Sequence, residues 1–357
     1  MPQRAKLLLT LFLPVQILLI RIIAFFPEWI ERWYSNGFFV ILSKLFRYVF
    51  GWIPFSFGDL VYIALIIFFI RFLILKVFTK FIRWQSLLLE IGATLSIFYG
   101  LFHILWGMNY YRQPLHTILQ IDDAYTEEEL YQVSKLFIEK ANVLHQQLES
   151  NDSLAVVMPY TKNEIFEKTV DAYKELSEDY PFPDYKPISL KKSMLSLPLT
   201  YMGFSGYLNP LTGEGQVNSK ILNYKAPTTS CHEEAHQLGF AKENEANFIS
   251  ILTTMNYSDI YFRYSGTTFA LKFCINDLYY RDQQKAICLL EENLRPGVRE
   301  NFRKVNEFWE RYQNPLEPIF KDSYDSYLKA NNQPDGMKTY SYVSALIVNY
   351  FKSEGFN

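Results

Sequence analysis

The chain has 357 residues, 20% of them charged and 17% aromatic, with a formal net charge of −2. This is enough chain for one large domain or two modest ones, and a near-neutral balance supplies no field for nucleic acid or another polyanion. The average conceals an asymmetry: roughly the first 110 residues are apolar and the remainder has the texture of soluble protein.

Residues 7–26 (LLLTLFLPVQILLIRIIAFF) are long enough to span a bilayer, with Pro14, Gln16 and Arg21 as interruptions. No small-residue cleavage site follows, which favours a retained anchor over a removable signal peptide. Residues 58–75 (GDLVYIALIIFFIRFLIL) and 87–107 (LLLEIGATLSIFYGLFHILWG) are the second and third candidate spans. Between the first two, residues 37–55 (GFFVILSKLFRYVFGWIPF) set Lys44 and Arg47 on one helical face and Phe, Leu and Val on the others. That pattern predicts an interfacial or re-entrant helix, with a fourth span as the alternative. Arg4 and Lys6 before the first span, and Arg71, Lys76, Lys80 and Arg83 around the link between the second and third, mark those ends as cytoplasmic. Arg32, Lys44 and Arg47 count the other way, partly offset by Glu28 and Glu31. The expected organisation is a multi-pass region over 1–108 in a cytoplasmic (inner) membrane, then an extracytoplasmic domain over 109–357.

Residues 126–149 have helical periodicity, and Thr126 followed by acids is an N-terminal cap signal. Residues 162–178 predict another helix, and the Pro- and Tyr-rich passage 180–188 breaks the pattern. Residues 190–222 read as extended, with turns at 203–206 and 209–213, so that 200–219 forms a hairpin or edge strand able to hold an extended peptide. After Pro227 the chain reads as helical almost to its end, with breaks near Gly239, Tyr257–Gly266, Arg295–Gly297 and Asn331–Gly336.

The chemistry is concentrated in residues 231–247 (CHEEAHQLGFAKENEAN). Pro227 suits a first helical turn and Gly239 a C-terminal stop, so a helix over Thr228–Leu238 carries His232-Glu233-x-x-His236. Two imidazoles one turn apart on one face can grip a zinc ion, and Glu233 between them is placed as general base toward a zinc-activated water. A catalytic zinc takes three protein ligands. No histidine follows His236, so the third is expected to be a carboxylate. Glu243 is favoured and Glu245 is the alternative, because they lie about 200° apart on a helix and only one can face the metal. Asn247, at i+4 from Glu243, is placed to orient a ligand histidine through its second nitrogen. Glu234 is expected to face solvent. Tyr264 and Tyr340 are candidate donors to the transition state. Cys231 reads as a small buried residue, and Cys274 and Cys288 are either bridged or free thiols.

Residues 232–247 resemble the gluzincin metallopeptidases, in particular membrane-bound families related to the CAAX prenyl protease and the heat-shock membrane protease. These pair H-E-x-x-H with a later E-x-x-A-D whose glutamate is the third ligand; here the match is His232-Glu233-x-x-His236 with Glu243-x-x-Ala246-Asn247, and the gap is short. The whole chain is also similar to an uncharacterised family of bacterial membrane proteins, domain of unknown function 3810. That similarity runs through FSFGDLVY (55–62), LTGEGQVN (211–218), HEEAHQLGFAKENEANF (232–248), FRYSG (262–266) and YLKANNQ (327–333). The resemblances imply an α+β, predominantly helical fold: N-terminal transmembrane helices, then a zincin-like domain with a small β-hairpin or edge strand. The expected activity is zinc-dependent hydrolysis of a peptide, protein or cell-wall amide bond at the lipid bilayer. The competing reading is a non-catalytic envelope protein that keeps such a fold for binding or assembly.

Overall fold

The computed structural model describes residues 1–78, 84–180, 185–333, 336 and 340–353, with the side chains of 76–78, 179 and 340–341 left out. Lys80 and Arg83 of the orientation argument lie outside the described residues. Three helices are long and apolar enough to cross a membrane: α1 (Gln3–Ile23), Phe57–Leu75 and Trp84–Leu105. The polar residues that interrupt the apolar runs are used between helices. Lys6 Nζ donates to Glu90 Oε1 (2.7 Å), Thr10 Oγ1 to the Leu89 carbonyl (3.3 Å) and Gln16 Nε2 to Ser96 Oγ (3.2 Å). The first span thereby packs along the third, where hydrogen bonds and small residues hold helices that have no hydrophobic drive to associate in lipid.

From the end of α1 the chain runs through α2 (Pro27–Trp29), a stretch of wide π turns (Ile30–Phe38) and α3 (Phe39–Phe50) before entering α4 (Phe57–Phe78). One stripe of this segment, Ile30, Tyr34, Phe39, Ser43 and Arg47, is buried against the rest of the protein. The segment is not among the three membrane-length helices, and its Ser43 Oγ and Arg47 Nη1 donate to the Gln237 carbonyl (2.5 and 3.4 Å). Arg47, within α3, thus reaches a backbone carbonyl 190 residues along the chain. After α5 (Trp84–Leu105), a 3₁₀ turn (Gly107–Tyr111) and α6 (Leu115–Leu119) lead into α7 (Glu127–Leu148) and α8 (Lys162–Asp179). Both of the latter open with a capping box, Thr126 with Glu129 and Thr161 with Glu164.

The segment expected to be extended contains three short strands, β1 (Leu190–Lys192), β2 (Gly206–Leu208) and β3 (Gly215–Val217), and also a helix, α9 (Ser196–Tyr201). The sheet order is β1-β3-β2, parallel then antiparallel, so β2–β3 is a hairpin with β2 on an edge. The helical remainder comprises α10 (Ala226–Gln237), α11 (Glu243–Asn256), α12 (Ile260–Arg281), α13 (Gln283–Asn293), α14 (Pro296–Glu310), α15 (Glu317–Ala330) and α16 (Tyr340–Ser353). Helices α7, α11, α12 and α16 build the main core around Phe137, Phe248, Leu252, Leu271, Leu278 and Ile347. The break expected over Tyr257–Gly266 is confined to the residues before α12. Gly266 sits inside that helix, where a Cβ would lie 2.2 Å from Thr254 Oγ1 of α11, so it serves close helix crossing and not a turn.

The sheet is tied to the membrane helices. Glu214, in the hairpin turn, accepts the Phe57 and Gly58 amides at the start of α4 (3.2 and 2.5 Å), where a carboxylate offsets the helix dipole. Asp59 accepts Ser193 Oγ (3.0 Å), the Met194 amide (2.6 Å) and the Tyr207 hydroxyl. FSFGDLVY and LTGEGQVN therefore meet in space.

Candidate metal centre

Helix α10 ends in a Schellman motif. The Phe240 amide bonds the Ala235 carbonyl (3.0 Å) and the Gly239 amide the His236 carbonyl (2.9 Å), with Gly239 at φ +92°. Two more donors reach this turn: Trp106 Nε1 also donates to His236 O (3.3 Å), and Arg112 Nη1 donates to Gly239 O (3.0 Å). The left-handed glycine reverses the chain within a few residues, so the short gap suffices and α11 starts with Glu243 beside the histidines.

His232 Nε2 lies 3.3 Å from Glu243 Oε2, and His236 Nε2 lies 3.5 Å from Glu243 Oε1. One donor atom from each residue falls within 4.8 Å of the others, and among the described residues no other three His, Cys, Asp or Glu side chains converge in this way. Ligands of a tetrahedral zinc at about 2.0–2.1 Å are separated by about 3.3 Å, so the spacing fits that ion. His236 Nδ1 is 2.7 Å from the Phe240 carbonyl, which fixes the ring with its Nε2 toward Glu243. His232 Nδ1 is buried without a hydrogen-bond partner, so Asn247 is not seen to orient a histidine through its second nitrogen.

The charges are coupled. Burial resists charging of His236, but Glu243 outweighs it and takes the imidazole up to about 9. Burial and the neighbouring His236 hold His232 below its ordinary value. Burial also opposes the charge on Glu243, yet the two imidazoles hold its carboxyl well below the usual range. Glu233 is 2% exposed, burial pushes it up to about 8, and its Oε2 has no hydrogen-bond partner. Its Oε1 faces the edge strand so closely that a Cβ on Gly206 would be 2.5 Å away.

Other expected positions fall elsewhere. Glu245 is turned away from the cluster: its Oε1 accepts the Leu115 amide (3.0 Å) and lies 3.7 Å from Lys242 Nζ. Tyr264 is a core residue whose hydroxyl donates to Asn301 Oδ1 (2.8 Å), so it is no donor to this centre. The Tyr340 side chain lies outside the described residues. Glu234 does not face solvent; it is fully buried, burial raises its carboxyl well above the ordinary range, and Thr169 Oγ1 donates to it (2.6 Å). Cys231, Cys274 and Cys288 are free thiols.

The phenol at the centre is Tyr324, from α15. Its hydroxyl donates to Glu243 Oε1 (2.5 Å), and burial together with the Glu243 charge holds its proton on. Tyr324 stacks on Tyr327 (6.0 Å) and meets Phe204 edge-on (5.2 Å); Tyr327 touches Phe102 and Tyr110, and Tyr110 touches Trp106. An aromatic wall thus runs from the third apolar helix to the His232, His236 and Glu243 cluster. The i, i+3 pair Tyr324 and Tyr327 was its available sequence signal, and YLKANNQ begins at Tyr327.

A family model described as "Protein of unknown function (DUF3810)" matches residues 34–348, from the π turns before α3 into α16. The chain belongs to this family. The matched range takes in the second and third apolar helices and every residue of the cluster. No curated protein and no solved structure matches the chain.

Proposed function

We propose that this chain is a membrane-anchored zinc-dependent hydrolase of peptide or related amide bonds. Residues 1–108 are the anchor in the cytoplasmic membrane, and 109–357 form a zincin-like domain on its outer side. The observation that carries the reading is the convergence of His232, His236 and Glu243 beside a buried Glu233 oxygen without a partner. Two imidazoles and a carboxylate are a zinc donor set, in keeping with the motif's likeness to gluzincins. Zinc in that position supplies Lewis acidity and lowers the pKa of a coordinated water toward 7.

The remaining work belongs to the chain. The Phe240 carbonyl fixes the ring of His236, and Tyr324 fixes the carboxylate of Glu243. Glu233 is placed to take a proton from the attacking water and pass it to the leaving amine, and burial raises its proton affinity. Strand β2 lies against Glu233 and has β3 on one side only, so an extended substrate can pair along its other edge. A purely structural metal would leave Glu233 as an unpaired buried acid, which is costly without a task.

Metal analysis of the purified protein tests this. Wild type should carry about one zinc per chain. His232→Ala and Glu243→Ala should lose it, and Glu245→Ala should keep it. A wild-type protein that takes up no zinc sinks the proposal.

A further inference from the structure

Helix α9 and the turn before it carry their apolar residues on the outside. Met194 (54%), Leu197 (47%), Pro198 and Tyr201 (45%) are exposed at the i, i+3, i+4, i+7 spacing of one helical face. Ser196 and Thr200 are buried on the opposite side with Leu199. Large apolar groups turned out while hydroxyls turn in is the reverse of a helix that meets water. Leu316 (57%) and Ile319 (58%), at the start of α15, extend this surface. They adjoin it because Asn314 Nδ2 donates to the Tyr201 carbonyl (2.7 Å) and the Tyr201 and Tyr312 rings meet edge-on at 5.3 Å. A contiguous apolar patch of this kind marks a contact surface.

Its ties to α4 identify what covers it. Ser193 Oγ and the Met194 amide donate to Asp59 Oδ2, in the first turn of α4, and one turn further in Tyr62 stacks on Tyr207 of β2 (5.9 Å). The membrane-length stretch of α4 begins at Phe57, so the start of α9 stands level with the end of that helix. Just before α4, Trp52 (78%) and Phe55 (47%) are exposed as well, aromatics of the kind that settle at the lipid–water boundary. The apolar helices hold this surface at the bilayer permanently. Burying it in lipid therefore costs no encounter entropy, whereas a second copy of the chain would have to be recruited. We propose that the outer face of α9 and the first turn of α15 form a membrane-contact surface, resting in the interfacial layer of the bilayer beside α4. The surface is separate from the metal cluster and does not depend on its function. It bears on that cluster through position alone: β2 follows α9 within five residues, and α15 carries Tyr324 five residues past Ile319.

The test uses the full chain in liposomes of phosphatidylcholine and phosphatidylglycerol. Cys288→Ser removes the half-buried thiol, and Cys231 and Cys274 are buried. A nitroxide is then attached through Leu197→Cys, Ile319→Cys or, for comparison, Val157→Cys. Val157 is 74% exposed on the loop before α8, next to Val156, whose amide bonds Asn301 of α14. Oxygen concentrates in lipid and a neutral nickel chelate in water, so the ratio of their collision rates with the label reads its depth. The ratio should be several-fold higher at 197 and 319 than at 157. Equal ratios at the three positions would overturn the proposal. Protection of 197 and 319 from both reagents, with spin–spin broadening that disappears on dilution with unlabelled chain, would also overturn it and identify a second copy as the occupant.

Discussion

Tyr324→Phe removes one oxygen from the proposed centre and nothing else. The lost bond runs from a neutral phenol to the Glu243 carboxylate at 2.5 Å. Hydrogen bonds to charged groups contribute about 1.5–3 kcal/mol, or about ten- to 150-fold in an equilibrium constant. The Glu243 side chain keeps 22% of its exposure, so water can replace part of the donor. The expected loss is therefore at the low end, about tenfold in zinc affinity, in line with removal of a ligand's hydrogen-bond partner. The ring stays, and with it the contacts to Tyr327 and Phe204, so the melting temperature of the metal-free protein should hardly move. Zinc affinity is read by competition with a fluorescent chelator, and the melts are run in EDTA. Unchanged affinity would refute the role given to the hydroxyl. A tenfold loss accompanied by a large fall in the metal-free melting temperature would assign the effect to packing.

Glu233→Gln should keep its zinc while hydrolysis falls by about 10²–10⁴, the range for a lost general base; retained turnover excludes that role. Gly206→Ala places a Cβ 2.5 Å from Glu233 Oε1 and 2.7 Å from the Gln216 carbonyl. The strand must shift, and a displacement of about 1 Å costs about 100-fold in kcat/KM with zinc retained. Thr161→Ala deletes a helix cap and should cost about 1 kcal/mol, seen as a lower melting temperature with activity unchanged. Zinc at about 100 times its Kd should stabilise the chain by about 2.7 kcal/mol over its EDTA-treated form, and the shift should vanish in His236→Ala.

Features with short sequence range were legible. Thr126 announces its helix because acids follow it, with Glu129 three residues on; the same box at Thr161 and Glu164 came to light only in the structure. His232 and His236 are one turn apart in any helix, and the apolar runs announce three membrane-length helices. Glycine was ambiguous: Gly239 ends a helix as expected, whereas Gly266 lies within one, and only the neighbour at Thr254 distinguishes the two uses. Glu234 was misplaced because helical periodicity says which residues share a face, not whether another element covers the opposite face. Here α8 does so, through Thr169.

What the sequence alone determined is the chemistry on offer: a pair of imidazoles at fixed helical spacing, acids close behind them, and apolar helices of membrane length. Tertiary structure decided which acid and which phenol join them. Tyr324 stands 81 residues from Glu243 along the chain, and Glu245 is turned onto the Leu115 amide 130 residues away. No local propensity encodes such contacts; they follow from how α10, α11 and α15 pack, with a left-handed Gly239 setting the angle at which α11 returns.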